Sequence, residues 1–321
     1  MSWLGRLANT LTFALLLVVA AGTLLPVRGE AAAMLARVAQ IAIALLFFVH
    51  GCKIATSEVL AGLRHWRLHL LIFTATFAIF PVVGWGIVKL GGGLLTPELA
   101  AGFLFLSILP ATVQSAIAFT SLARGNVAAA VCSASASTLI GIAVTPLLGL
   151  VVLPADRALP LSLHSVGRVV LQIFVPFVLG QIARRWLGGF VARHATMVRR
   201  IDQSSILFVV YLAFSEARTA GLWSRTPLSS LVAVLGLGAI LLVVLLVSTT
   251  LLARRLGFAK EDEITIVFCG SKKSLASGIP MAQILFPAAS VGSVLLPLML
   301  FHQLQLMVCA WLAERYASRS R

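Results

Sequence analysis

Charge is scarce in this chain. Of its 321 residues only 11% are Asp, Glu, Lys or Arg, against roughly 25% in a soluble domain. Acid is scarcer still, with ten Asp and Glu, nearly all at the ends of apolar runs. A soluble enzyme, a disordered protein and a nucleic-acid binder with a basic groove are excluded on this ground. Four cysteines lack any CxxC spacing, so neither a disulfide frame nor a zinc site is indicated, and they read as small lipophilic packing residues. There is no nucleophile elbow with an ordered Ser/His/Asp set, no phosphate-binding Walker loop and no HExxH, so enzymatic chemistry and a resident metal are not expected. The alternating polarity of an outer-membrane barrel is absent too.

What remains is hydrophobic length. Apolar residues make up 60% of the chain and mean hydropathy is +1.03. A membrane-crossing helix needs about 20 mainly apolar residues. Ten segments qualify, near 10–26, 35–53, 68–90, 98–122, 127–153, 163–187, 203–221, 228–253, 263–286 and 291–313. The first reads as a span rather than a cleaved leader, because its apolar run is long for one. The expected fold is therefore an all-α polytopic membrane protein, since helices satisfy their own backbone in lipid. The chain forms a single integral membrane domain, its longest hydrophilic stretch, 184–203, reading as an arginine-rich interfacial anchor.

The loops orient it. The termini and even-numbered loops hold 16 of the 25 Lys and Arg, and the odd loops hold 7. The richer side is cytoplasmic by the positive-inside rule, which puts both termini inside. The excess of positive charge thus faces an anionic leaflet, and the lipid bilayer, not nucleic acid, is its partner.

Two segments are exceptional. The fourth carries Ser107 to Ser115 around Pro110, with Thr112 and Gln114, and the ninth carries Cys269-Gly270-Ser271-Lys272-Lys273-Ser274-Leu275-Ala276-Ser277-Gly278-Ile279-Pro280. Pro and Gly interrupt the i→i−4 ladder, and freed backbone groups persist in a membrane only inside protein or beside a wet cavity. Fourth and ninth of ten is the fourth position in each half of five, the pattern of an inverted-repeat secondary transporter with a midplane site. Gln114-Ser115 can be laid on Lys273-Ser274. An alternative for either break alone is a packing kink.

The lysine pair is the sharpest feature, because a buried ammonium costs about 2.5–3.5 kcal/mol even on a lenient insertion scale. With no acid nearby in sequence, carbonyls of broken helices, an approaching carboxylate such as Glu216, or an anionic substrate must satisfy it. The candidate binding residues in these two segments are Thr112, Gln114, Ser115, Ser271, Lys272, Lys273, Ser274 and Ser277. Asn126, Ser133 and Ser135 join them from the small-residue run of the fifth segment. Secondary candidates are His50, Glu216, His302 and Gln303, the histidines reading first as packing residues. Gln305 interrupts the tenth segment beside His302 and Gln303, and Ser137 belongs to the same run as Ser133.

The segments Leu109 to Ser115, Ala123 to Ala128 and Phe268 to Gly278, with His50 to Lys53 and Leu212 to Glu216, resemble the bile acid:sodium symporter family, in a divergent branch with bacterial and vertebrate members. The resemblance covers essentially the whole chain. It implies ten helices as two inverted five-helix repeats (1–155 and 156–321), a panel domain (about 10–53 and 163–221) and a core domain (about 68–153 and 228–313), with discontinuous helices 4 and 9 crossing. It implies a small organic anion as substrate and, by analogy with sodium-coupled members, ion contacts at Thr112, Gln114, Ser115, Asn126, Ser133 and Ser135. The family's ninth-segment Glu-x-Gly-Met-Gln pattern is replaced here by Cys269-Gly270-Ser271-Lys272-Lys273. An ammonium can take the volume and charge of a bound Na⁺, so Na⁺ stays open as a coupling ion but is not required. No other cofactor is expected. The leading expectation is an organic-anion transporter of the bacterial inner membrane. A non-transporting regulatory membrane protein on the same fold is the alternative.

Overall fold

The chain is built from long apolar helices whose ends are written locally. A computed structural model describes residues 3–53, 65–91, 93–154, 170–221, 224 and 226–318. In chain order the helices are α1 (Trp3–Leu24), α2 (Gly29–Lys53), α3 (Trp66–Leu90, with a π-helical stretch Ala75–Ile79), α4 (Pro97–Ile108), α5 (Val113–Leu122), α6 (Val127–Val152), α7 (Val175–Arg193, preceded by a π-helical turn Val170–Phe174), α8 (Ala195–Thr219), α9 (Leu228–Arg255), α10 (Lys260–Gly270), α11 (Leu275–Leu285) and α12 (Ala288–Ser318). No strand occurs among the described residues.

Sequence chemistry sets the boundaries. Thr96 caps α4 by accepting from the Leu99 amide, with Pro97 next and Glu98 in the first turn, where proline and acid both suit the orphan amides. Asn126 caps α6 through the Ala129 amide at 3.0 Å. α9 ends with Gly257 at φ +71°, the Phe258 amide reaching back to the Ala253 carbonyl at 3.1 Å, a Schellman closure. The α5–α6 turn closes in the same way but puts Arg124, at φ 59°, in the left-handed position. The glycine falls one residue later because a Cβ on Gly125 would lie 2.6 Å from Ile264 Cγ2.

Five helices among the described residues are long and apolar enough to cross a membrane: α2, α3, α6, α9 and α12; the pair α4 and α5, bent by 60° at its break, makes a sixth. α9 shows the lipid-adapted pattern. Leu228, Val232, Leu235, Ile240, Val243, Val247 and Leu251 are exposed along one face, and Val234, Gly238, Leu241, Leu245 and Thr249 are buried along another. An exposed stripe this apolar is stable only against hydrocarbon. The stretch read as a hydrophilic anchor is helical: α7 runs through Arg184 and Arg185 to Arg193, and α8 starts after a corner at His194. Residues 163–169 of the sixth expected segment lie outside the described residues.

The chain divides into two compact units. The first comprises residues 1–55, 155–226 and 279–295. Within it α1 packs on α8, with Tyr211 donating to the Leu25 carbonyl at 2.9 Å and the Val27 amide donating to Ser215 Oγ at 2.6 Å. α2 packs on α7 at a backbone-to-backbone crossing. A Cβ on Gly180 would strike the Phe48 carbonyl, and one on Gly51 the Phe177 carbonyl. The second unit comprises 56–154, 227–278 and 296–321 and holds both helix breaks together with α3, α6 and α9.

Candidate functional site

α4 stops at Ile108 because Pro110 biases Leu109 to extended backbone (φ −71°, ψ 156°). The chain resumes as a helix at Val113. α10 stops at Gly270, and α11 begins at Leu275, with Ser274 Oγ accepting from the Ser277 amide at 3.1 Å. The two unwound stretches bind each other reciprocally. Thr112 Oγ1 donates to the Lys273 carbonyl at 2.7 Å, and the Ser274 amide donates to the Pro110 carbonyl at 2.9 Å. Each break thus satisfies backbone groups that the other leaves free, as buried polar groups require.

Space for this crossing is made by small residues. A Cβ on Gly141 of α6 would lie 2.6 Å from Pro110 Cβ, and one on Gly278 would lie 2.6 Å from both Leu109 Cδ1 and Leu298 Cδ2. From α6, Ser137 Oγ accepts from the Ala111 amide at 3.0 Å and Thr145 donates to the Ile108 carbonyl at 3.0 Å.

Lys272 and Lys273 are both 0% exposed, and they diverge. Lys273 Nζ donates to the Leu109 carbonyl at 2.7 Å and the Thr76 carbonyl at 2.8 Å, and lies 4.1 Å from the centre of the Phe80 ring. Both carbonyls are orphans by local sequence. Leu109 sits in the break. Thr76 lies in the π-helical stretch of α3, where the Phe80 amide bonds to Ala75 instead and the next nitrogen belongs to Pro81, which has no hydrogen. The ammonium also sits at the C-terminal end of α4, the favoured pole for a cation. The Lys273 peptide is gripped as well: Gln305 Oε1 accepts from its amide at 3.0 Å and Gln305 Nε2 donates to its carbonyl at 2.9 Å.

Lys272 is less fully engaged. Its Nζ donates to the Ser115 carbonyl at 3.0 Å and faces the rings of Phe119 and Phe268, at 3.7 and 5.3 Å from their centres. Beside it, Ser115 Oγ is buried with no hydrogen-bond partner among the described residues. No carboxylate pairs with either ammonium among the described residues. Glu263, the nearest preceding acid in sequence, is held by Arg254 at 3.2 Å and Lys260 at 2.7 Å, with Tyr316 donating to it at 3.2 Å. Carbonyls, one of the three partners that the sequence left open, serve both ammonium groups here.

Thr112, Ser115, Lys272, Lys273, Ser274 and Ser277 therefore meet at the crossing, and Ser271 closes α10 by donating to the Val267 carbonyl at 2.6 Å. Gln114 shares α5 but is exposed. Asn126 lies elsewhere. It binds Asp262 at 2.9 Å and the Glu261 carbonyl at the start of α10, whose eleven residues put about 16 Å between that end and the break. Ser133 pairs with buried His69 at 2.7 Å, and Ser135 is buried on the same helix. In the first unit, His50 contacts the Leu46 carbonyl at 2.8 Å, and Glu216 is half-buried in the last turns of α8. On α12, His302 is buried against Gln305 and Gln303 is half-buried. Gln305 and Thr76 were not among the candidates, although the polar interruption of the tenth segment and Pro81 were visible signals for them.

A helical multi-pass membrane protein with interlocked broken helices belongs to the architecture of membrane transporters. Residues 9–318 match the SBF-like CPA transporter family, and the chain belongs to that family. It is 53% identical to Uncharacterized protein PA2026 of Pseudomonas aeruginosa, over 98% of this chain and 94% of that one. It is 50% identical to "Putative symporter YfeH" of Escherichia coli (strain K12), over 97% and 93%. It is 30% identical to Sodium/bile acid cotransporter 7 of Rattus norvegicus, over 84% and 80%. The protein is thus an integral membrane transporter by family, not an enzyme.

Proposed function

We propose that the protein is a secondary active transporter that carries a small organic anion by alternating access across the bacterial inner membrane. In this reading ten spans form two inverted repeats of five, α1, α2, α7 and α8 make the panel, the remaining helices make the core, and both termini are cytoplasmic. The observation that carries it is the pair of fully buried ammonium groups at the crossing of two broken helices. Two further features favour an anion. The helices α5 and α11 both begin at the crossing, so their positive dipole ends face it. No acid among the described residues is spent on either lysine. The names of two relatives, a symporter and a sodium/bile acid cotransporter, agree with a small-molecule cargo.

The same geometry argues against an obligatory Na⁺. Lys273 already places a positive charge on two orphan carbonyls, the task that a bound cation performs in a broken-helix site. The test is uptake into proteoliposomes from a panel of aromatic, aliphatic and steroidal carboxylates and sulfonates, chosen by thermal shift, with the external salt as sodium or choline. We expect equal uptake in the two salts, and loss of uptake in Lys273→Ala and in Lys272→Ala. Uptake that needs sodium, or that survives both substitutions, overturns the reading.

A further inference from the structure

The backbone of Lys273 fixes the hydrogens around it. Its amide can only donate and its carbonyl can only accept, so the side-chain atom 3.0 Å from the amide is Gln305 Oε1 and the one 2.9 Å from the carbonyl is Nε2. The second Nε2 hydrogen points at His302 Nδ1, 2.8 Å away on the same helix. A ring nitrogen that faces an N–H must offer its lone pair, so His302 is neutral and carries its hydrogen on Nε2. A proton on Nδ1 would set N–H against N–H. Gln305 cannot relieve that by turning over, because its oxygen would then face the Lys273 carbonyl. The chain His302–Gln305–Lys273 has one consistent arrangement, and it is buried throughout.

We propose that His302 Nδ1 is the binding site of the transporter's coupling proton, and that protonation there releases Gln305 from the unwound segment that bears both lysines. The word coupling rests on the carrier reading above; the proton site itself does not. The proton comes from water, adds to the Nδ1 lone pair, and breaks only hydrogen bonds. The charged group facing His302 is Lys272 of the unwound segment, the Lys273 backbone lies against the ring, and Cys309 follows two turns later on α12. From α3 and α9 the neighbouring Phe301 meets Phe80 and Gly238, neither titratable. An anion arriving beside the lysines would stabilise the imidazolium further, which makes proton–anion symport the expected mode.

The experiment places a cysteine at half-buried Ala276, in the first turn of α11, in a chain whose four native cysteines are replaced by alanine. Maleimide labelling is followed in nanodiscs, without substrate, from pH 8 to pH 5, each rate divided by that of a free thiol in the same buffer. We expect a several-fold rise as pH falls, no such rise in His302→Asn, which accepts from Gln305 but cannot be protonated, and fast labelling at all pH values in Gln305→Leu. A flat wild-type profile, or an equal rise in His302→Asn, overturns the site. ¹⁵N-histidine spectra supply the second readout: an Nε2–H tautomer for His302 at pH 8 supports the assignment, and an Nδ1–H tautomer overturns it. If labelling behaves as expected while uptake ignores a proton gradient, the coupling role falls and the carrier reading stands.

Discussion

Lys272 and Lys273 are adjacent, equally buried and chemically identical, yet their surroundings give their loss opposite signs. Replacing a buried lysine by methionine removes an ammonium whose insertion costs roughly 3 kcal/mol. It also strands whatever carbonyls the ammonium served, at about 1–3 kcal/mol each. Lys273 serves two carbonyls that no backbone amide can reach. Lys272 serves one, in the first turn of the continuous helix α5. We therefore expect Lys273→Met to lower the melting temperature in detergent by several degrees, and Lys272→Met to be near neutral or slightly stabilising while still stopping uptake. Equal losses in the two variants would mean that carbonyl satisfaction does not separate them. That both lysines are buried at a break was legible from Gly270, Gly278 and the lack of a nearby acid. Their division of labour was not, because it depends on the Thr76 carbonyl, freed almost 200 residues earlier by Pro81. Gln305 stood out only as a polar interruption of the tenth segment, for a similar reason: its partners there include backbone atoms, which carry no signature in the sequence.

At the scale of helices, the fifth segment illustrates what a run of small polar residues hides. Ser133, Ser135 and Ser137 read alike in sequence, but Ser133 and Ser137, four positions apart on one helix face, stand about 6 Å apart along its axis. Ser133 consequently meets His69 of α3, and Ser137 meets the Ala111 amide in the break. Asn126 stands before a long apolar run, a capping position, and it caps α6. The α2–α7 crossing makes a sharper demand. Gly51 and Gly180 let two backbones touch, and the contact is sealed by Gln181 donating to the Gly51 carbonyl at 2.7 Å and Cys52 to the Gly180 carbonyl at 3.3 Å. A methyl at either glycine collides with backbone, which cannot give way as a flexible side chain would. Gly51→Ala and Gly180→Ala should each destabilise by about 2 kcal/mol or more, as overpacking does. The double variant should cost less than the two together, because the helices need to separate only once. Chemical denaturation of the three variants in detergent reads this out, and full additivity would show that the two glycines do not share one contact.

At the scale of the whole molecule, the described hydrogen-bond partners of the two lysines lie inside one compact unit: Thr76, Leu109, Thr112, Ser115 and Gln305 all belong to it. Hydrogen-bond networks such as the one around Lys273 rigidify what they join. If the protein carries its cargo by moving one unit as a body, the crossing travels intact, and locking it should do no harm. If the breaks themselves slide or refold during the cycle, locking it should be fatal. Ala75 of α3 and Gly270 at the end of α10 offer the lock, because a Cβ on Gly270 would lie 3.2 Å from Ala75 Cβ, close to the roughly 3.5–4.5 Å that a disulfide spans. In a chain whose native cysteines are replaced by alanine, the pair Ala75→Cys and Gly270→Cys should oxidise readily. Uptake should then be the same before and after reduction. Loss of uptake on oxidation, restored by reductant, would place the moving parts within this unit.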